Sequence, residues 1–126
     1  MPSVLIVDDE PALGKMIGIF VTGIGWEYQI VSNGEEAIRM LQEKSPNLVI
    51  SDFSMPVMNG LQLLAYMRSN DVFKDVPFIM ISSGDPRNLE RDVLAEAMEL
   101  GANAVLSKPF QLSTLAQTIE EVRQEK

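Results

Sequence analysis

The 126-residue chain contains no cysteine and no histidine. Without cysteine there is no disulfide and no thiolate metal site, and a reducing, cytoplasmic compartment is expected. Without histidine there is no imidazole nucleophile, general base or metal ligand. Positive charge is also scarce. Ten Lys and Arg stand against 18 Asp and Glu, for a net charge of −8. That balance argues against binding nucleic acid by neutralising phosphates. It leaves a basic partner open and suits an ordinary solvated surface. No apolar run approaches the length needed to span a bilayer, so no membrane insertion is expected. The opening "MPSVLIVDDE" is too short and too acidic for a signal peptide and has no basic leading segment.

The length suits one domain with a core of its own. Composition is that of a globular protein, 46% hydrophobic and 22% charged. Apolar runs alternate with helical patterns. Strands are expected at "SVLIV" (3–7), "EYQIV" (27–31), "NLVIS" (47–51), "PFIMIS" (77–82) and "AVLS" (104–107). Between them lie helices. The first starts at Pro11, stops near Gly23 and Gly25, and turns Leu13, Met16, Ile17 and Phe20 inward. Gly14 and Gly18 lower its intrinsic propensity. The second buries Ala37, Ile38 and Leu41, and the third Leu61, Leu64 and Met67. The fourth opens with Asp85 as N-cap and Pro86 at N1, carries Leu89, Val93, Ala97 and Leu100 on one stripe, and ends at Gly101. The fifth buries Leu112, Leu115, Ile119 and Val122. Trp26, Met55 and Met58 are assigned to packing, and Pro56 and Gly60 to turn geometry. The pattern is (βα)5. Continuous apolar strands joined by helices imply a parallel sheet covered on both faces. The whole chain, 1–126, is expected to be one domain with no output domain, and Met1 suggests a natural start.

In open parallel α/β sheets, ligands bind beyond the carboxyl ends of the strands. Those ends carry the chemistry here. The first strand runs into Asp8 and Asp9, the third into Asp52, the fourth into Ser82 and Ser83, and the fifth into Lys108 and Pro109. Taken singly, each is also ordinary turn or capping chemistry. Together they are specific. If the first and third strands are neighbours, three carboxylates converge and cannot all stay ionised unaided. They take up a proton or bind a cation. All-oxygen ligation selects a hard ion, Mg2+ or Mn2+. Lys108 adds a positive charge, and the Ser82 hydroxyl completes a ring of groups suited to phosphoryl oxygens.

The segments "LIVDDE" (5–10), "SDFSMPVMNG" (51–60), "IMISS" (79–83) and "LSKPF" (106–110), with "NGEEAI" (33–38) in support, resemble a response-regulator receiver domain over the whole chain. The likeness is to a chemotaxis-regulator-like single-domain receiver of two-component signalling. It implies a flavodoxin-like three-layer sandwich with strand order 2-1-3-4-5. It implies Asp52 as phosphoacceptor, attacking phosphorus to give an aspartyl phosphate. Mg2+ would be held by Asp9 directly, by Asp8 through water, by the Asp52 carboxylate and by the Ser54 backbone carbonyl. Lys108 would pair with Asp52 and then with the phosphoryl group. Ser82 would donate to a phosphoryl oxygen, and the Lys108–Pro109 bond would be cis.

The implied partners are a histidine kinase or histidine phosphotransfer protein and an unspecified downstream protein. The face of the fourth helix, fifth strand and fifth helix is left for output or a homodimer. The first helix near Ala12, Leu13 and Gly14 is the implied kinase-docking region. Such a protein is a switch, limited to self-phosphorylation and autodephosphorylation. The competing readings are an aspartate-nucleophile phosphatase, which would want a second acid where Ser54 stands, and an unphosphorylated scaffold. One departure stands out. Val105 occupies the position of the usual readout aromatic, so hydroxyl–aromatic coupling is not expected. Small residues at Ser54 and Gly84 predict open water access to the acyl phosphate and hydrolysis within about an hour.

Overall fold

The computed structural model describes residues 2–54, 57–82 and 93–123, with the side chains of Val93 and Leu94 left aside. Five strands, β1 (Ser3–Val7), β2 (Glu27–Val31), β3 (Leu48–Asp52), β4 (Phe78–Ser82) and β5 (Ala104–Ser107), alternate with five helices. The helices are α1 (Pro11–Gly23), α2 (Gly34–Glu43), α3 (Gly60–Arg68), α4 (Val93–Leu100) and α5 (Leu112–Arg123). All strand pairs are parallel, in the order β2-β1-β3-β4-β5. The chain therefore has the flavodoxin-like fold expected of it. Among the described residues, no helix is long and apolar enough to cross a membrane.

Side chains alternate across the pleat, so each apolar strand feeds two cores. Leu5, Val7, Val49, Phe78 and Met80 face Ala37, Leu41, Leu64, Met67 and Ala97 on one side. Val4, Ile6, Leu48, Ile50, Ile79 and Ile81 face Ile17, Val21, Leu115, Ile119 and Val122 on the other, with Trp26 at the end. Burial of each Val, Leu, Ile, Phe or Met side chain among these favours folding by about 1.5–3 kcal/mol before the cost of ordering it.

Three expected inward positions are solvent-facing: Met16, Leu100 and Leu112. Leu100 and Leu112 are the last and first residues of their helices. Met16 lies off the true inner stripe of α1, which is Gly14, Ile17, Gly18 and Val21. The glycines that weaken α1 as an isolated helix let it approach β2. A methyl group on Gly18 would fall 2.5 Å from the Tyr28 ring, and one on Gly14 3.2 Å from Ile30. Leu13 and Phe20 are half-buried against the second core. The expectations on Met55, Pro56, Ser83, Gly84, Asp85, Pro86 and Leu89, and on the Val93 side chain, lie outside the described residues.

α2 and α3 start at asparagine caps. Asn33 accepts from Glu36 N at 2.9 Å. Asn59 and Gln62 form a reciprocal capping box, with bonds of 2.8 and 2.9 Å. α1 ends at Gly23, and Gly25 takes φ +91 in the turn that follows. Gly101 closes α4 with φ +106. There the Arg68 Nε donates to its carbonyl at 2.9 Å, while Asn103 Oδ1 accepts from both Arg68 and Phe78 N.

Candidate functional site

The strand register brings four strand ends level. Val7 pairs with Ser51, Asp52 with Ile81, and Ser82 with Ser107. Backbone bonds continue one residue further. Asp8 N donates to Val31 O at 3.0 Å, Phe53 N to Ile81 O at 2.8 Å, and Lys108 N to Ser82 O at 2.8 Å. The backbones of Asp8, Asp52 and Lys108 are therefore held by the sheet rather than by loops, which favours a precise site.

Asp8 and Asp52 are buried, at 3% and 4% relative exposure. Lys108 Nζ lies 3.3 Å from Asp52 Oδ2 and 3.3 Å from Glu10 Oε1. Asp8 Oδ1 accepts from Glu10 N at 2.8 Å. Its other oxygen, Oδ2, is buried with no hydrogen-bond partner. Carboxylate oxygens of Asp8, Glu10 and Asp52 lie within 4.8 Å of one another.

The electrostatics follow from this crowding. Burial pushes the Asp8 carboxyl up to about 6; the Glu10 N–H and Lys108 oppose the rise, while Asp52 and Glu10 add to it. Burial also raises Asp52, against the pull of Lys108 and the Phe53 N–H, with Asp9 adding a little to the rise. Burial pulls Lys108 down, but Asp52 and Asp8 outweigh it, and the ammonium is held above its ordinary range. An anionic, all-oxygen donor set with one unsatisfied buried oxygen fits a hard divalent cation. Asp8 and Asp52 are the buried members of that set.

The structure gathers Asp8, Asp52 and Lys108 into one contact group. Ser82 is buried at the last position of β4. Asp9 is exposed and is not one of the three clustered carboxylates. Ser54 is exposed, two residues past the end of β3's acid. The Lys108–Pro109 bond is cis. Val105 is half-buried against the first core. Sequence reasoning gave Glu10 no role of its own. The signal was Pro11, which starts α1 and makes Glu10 its N-cap residue, over the strand ends.

The profile of the response regulator receiver domain matches residues 4–120. Over 121 residues the chain is 37% identical to a Rhizobium etli protein named "Probable chemotaxis protein CheY", covering 94% of this chain and 90% of that one. It is 27% identical to the phosphate regulon transcriptional regulatory protein PhoB of Pseudomonas aeruginosa, covering 95% of this chain but 51% of PhoB. Among solved structures, the chemotaxis response regulator CheY4 of Vibrio cholerae superposes with a TM-score of 0.85 at 30% identity, over 97% of this chain and 98% of that one.

Proposed function

The chain belongs to the response regulator receiver domain family, the signalling switches of two-component systems, and on that footing we propose that it takes a phosphoryl group on Asp52. The donor is a histidine kinase or a histidine phosphotransfer protein. The observation that carries this reading is the Lys108–Asp52 contact at 3.3 Å beside the unpartnered Asp8 Oδ2.

Each residue has a task that its surroundings support. Asp52 is the nucleophile, its backbone held at a strand end by the sheet and its Oδ2 by Lys108. Lys108 opposes the rise that burial imposes on that carboxyl and then meets the charge on the transferred group. Ser82, at the end of the adjacent strand, offers a hydroxyl to the same oxygens. Asp9 directly, Asp8 through water, the Asp52 carboxylate and the Ser54 carbonyl would hold Mg2+. When bound, that ion neutralises charge so that an anionic nucleophile can meet an anionic donor. The phosphatase alternative lacks its second acid, because Ser54 stands two residues after Asp52. The modified state is passed on through the surface of α4, β5 and α5, with Val105 in place of an aromatic switch.

The test is labelling with acetyl phosphate and Mg2+, read by intact mass and by hydroxylamine sensitivity. The wild type should gain one acid-stable, hydroxylamine-labile phosphate, and Asp52→Asn should gain none. Equal labelling of Asp52→Asn, or no labelling of the wild type, would overturn the assignment.

A further inference from the structure

Glu10 is one of the three clustered carboxylates but has no assigned part in phosphoryl transfer, and its carboxylate stands at the mouth of the site. Its Oε1 is as close to Lys108 Nζ as Asp52 Oδ2 is, 3.3 Å in both cases. The Glu10 side chain is 64% exposed and that of Lys108 20%. Its backbone is fixed: the N–H donates to Asp8 Oδ1, and the carbonyl accepts from Gly14 N at 3.2 Å in the first turn of α1. An ion pair this exposed contributes little to stability, so a bracing role does not account for it. What it does contribute is a negative charge at the mouth and a second claim on the Lys108 ammonium.

Resting on the assignment of Asp52 as phosphoacceptor, we propose that Glu10 is a positioning residue that competes with the incoming phosphoryl group for Lys108 and so discriminates against small dianionic phosphodonors. In that reaction an Asp52 oxygen forms a bond to phosphorus. The bond from phosphorus to the donor's leaving oxygen breaks, and acetate departs with the electron pair. The phosphoryl oxygens carry their charge throughout and need Lys108. Glu10 holds the ammonium back and repels the same charge. At the separations seen among these carboxylates, in a partly hydrated mouth, such an effect is on the order of threefold to tenfold in rate.

The experiment compares wild type with Glu10→Gln at saturating Mg2+. Labelling rates are measured with acetyl phosphate and with phosphoramidate, which carries one negative charge fewer, at low and high salt. Glu10→Gln should label about threefold to tenfold faster with acetyl phosphate, and by a smaller factor with phosphoramidate. The acetyl phosphate advantage should shrink at high salt. Equal rates for the two proteins, a slower variant, or equal acceleration with both donors would overturn the role of Glu10. In each of those cases, label that still vanishes in Asp52→Asn leaves the assignment of Asp52 standing. Label that persists in Asp52→Asn removes that assignment.

Discussion

Gly60 sits against the backbone of Asp52 so closely that any side chain would collide with it. A methyl group on Gly60 would fall 2.6 Å from the Asp52 carbonyl oxygen, 2.7 Å from Met80 Sδ and 3.0 Å from Phe53 Cα. The Gly60 N–H in turn donates to Phe53 O at 2.9 Å. The first residue of α3 thus doubles as a stop behind the strand that presents Asp52.

Gly60→Ala should destabilise the fold by about 2–3 kcal/mol, because the obstacle is strand backbone rather than a side chain that can turn away. It should also slow labelling of Asp52, since the carbonyl that must shift belongs to that residue. Gly23→Ala is the control. Nothing lies within 4 Å of the added methyl, and the helix should gain up to about 1 kcal/mol. Urea midpoints for the two variants measure the contrast, and similar midpoints would show that the close approach at Gly60 can relax.

Val57 is the one non-glycine residue with positive φ among the described residues, at 69°. A β-branched side chain is strained in that region, and this one is 75% exposed, so burial does not repay the strain. Val57→Asn keeps the backbone conformation at lower cost, since asparagine tolerates it. The variant should be more stable by about 0.5–1 kcal/mol, seen as a higher urea midpoint at unchanged slope. A lower midpoint would mean that Val57 makes a compensating contact.

Much of this arrangement is legible in the residues. The strands at 3–7, 27–31 and 104–107 have the bounds read from their apolar runs, because Asp, Gly or Lys-Pro punctuates their ends. The strand order is a different matter: periodicity alone does not rank neighbours, and the order was implied by resemblance. Helix faces were harder. Gly14 and Gly18 read as weakness in a helix but serve close approach to Ile30 and Tyr28, a relationship between distant residues. Leu100 and Leu112 fit an inward stripe, yet as the terminal residues of their helices they are solvent-facing. Gly60 read only as a turn residue. Asp8, Asp52 and Lys108 were legible because strand ends bear ligands. Glu10 was not, because its reach to Lys108 spans 98 positions of sequence.

The burial of Asp8 makes the stability of the fold depend on pH. In cation-free protein its carboxyl titrates near 6, against an ordinary value of 3.8, chiefly because burial disfavours the charged form. The folded state therefore holds this proton more tightly than the unfolded chain does. The contribution of Asp8 to stability is fully present below about pH 3.8 and is lost as pH rises to about 6. At pH 7.5 the loss is on the order of 3 kcal/mol. Asparagine keeps the acceptor for the Glu10 N–H and carries no charge. Asp8→Asn in chelator should therefore be more stable than wild type at pH 7.5, by about 1–3 kcal/mol, and the gap should close toward pH 4. Added Mg2+ should raise the stability of wild type by more than that of the variant, which keeps the other ligands but lacks the Asp8 charge, since a ligand stabilises the fold in proportion to how tightly it binds. Denaturation of both proteins across pH, with and without Mg2+, makes the comparison. A gap that does not vary with pH would show that Asp8 is not the group whose charge the fold resists.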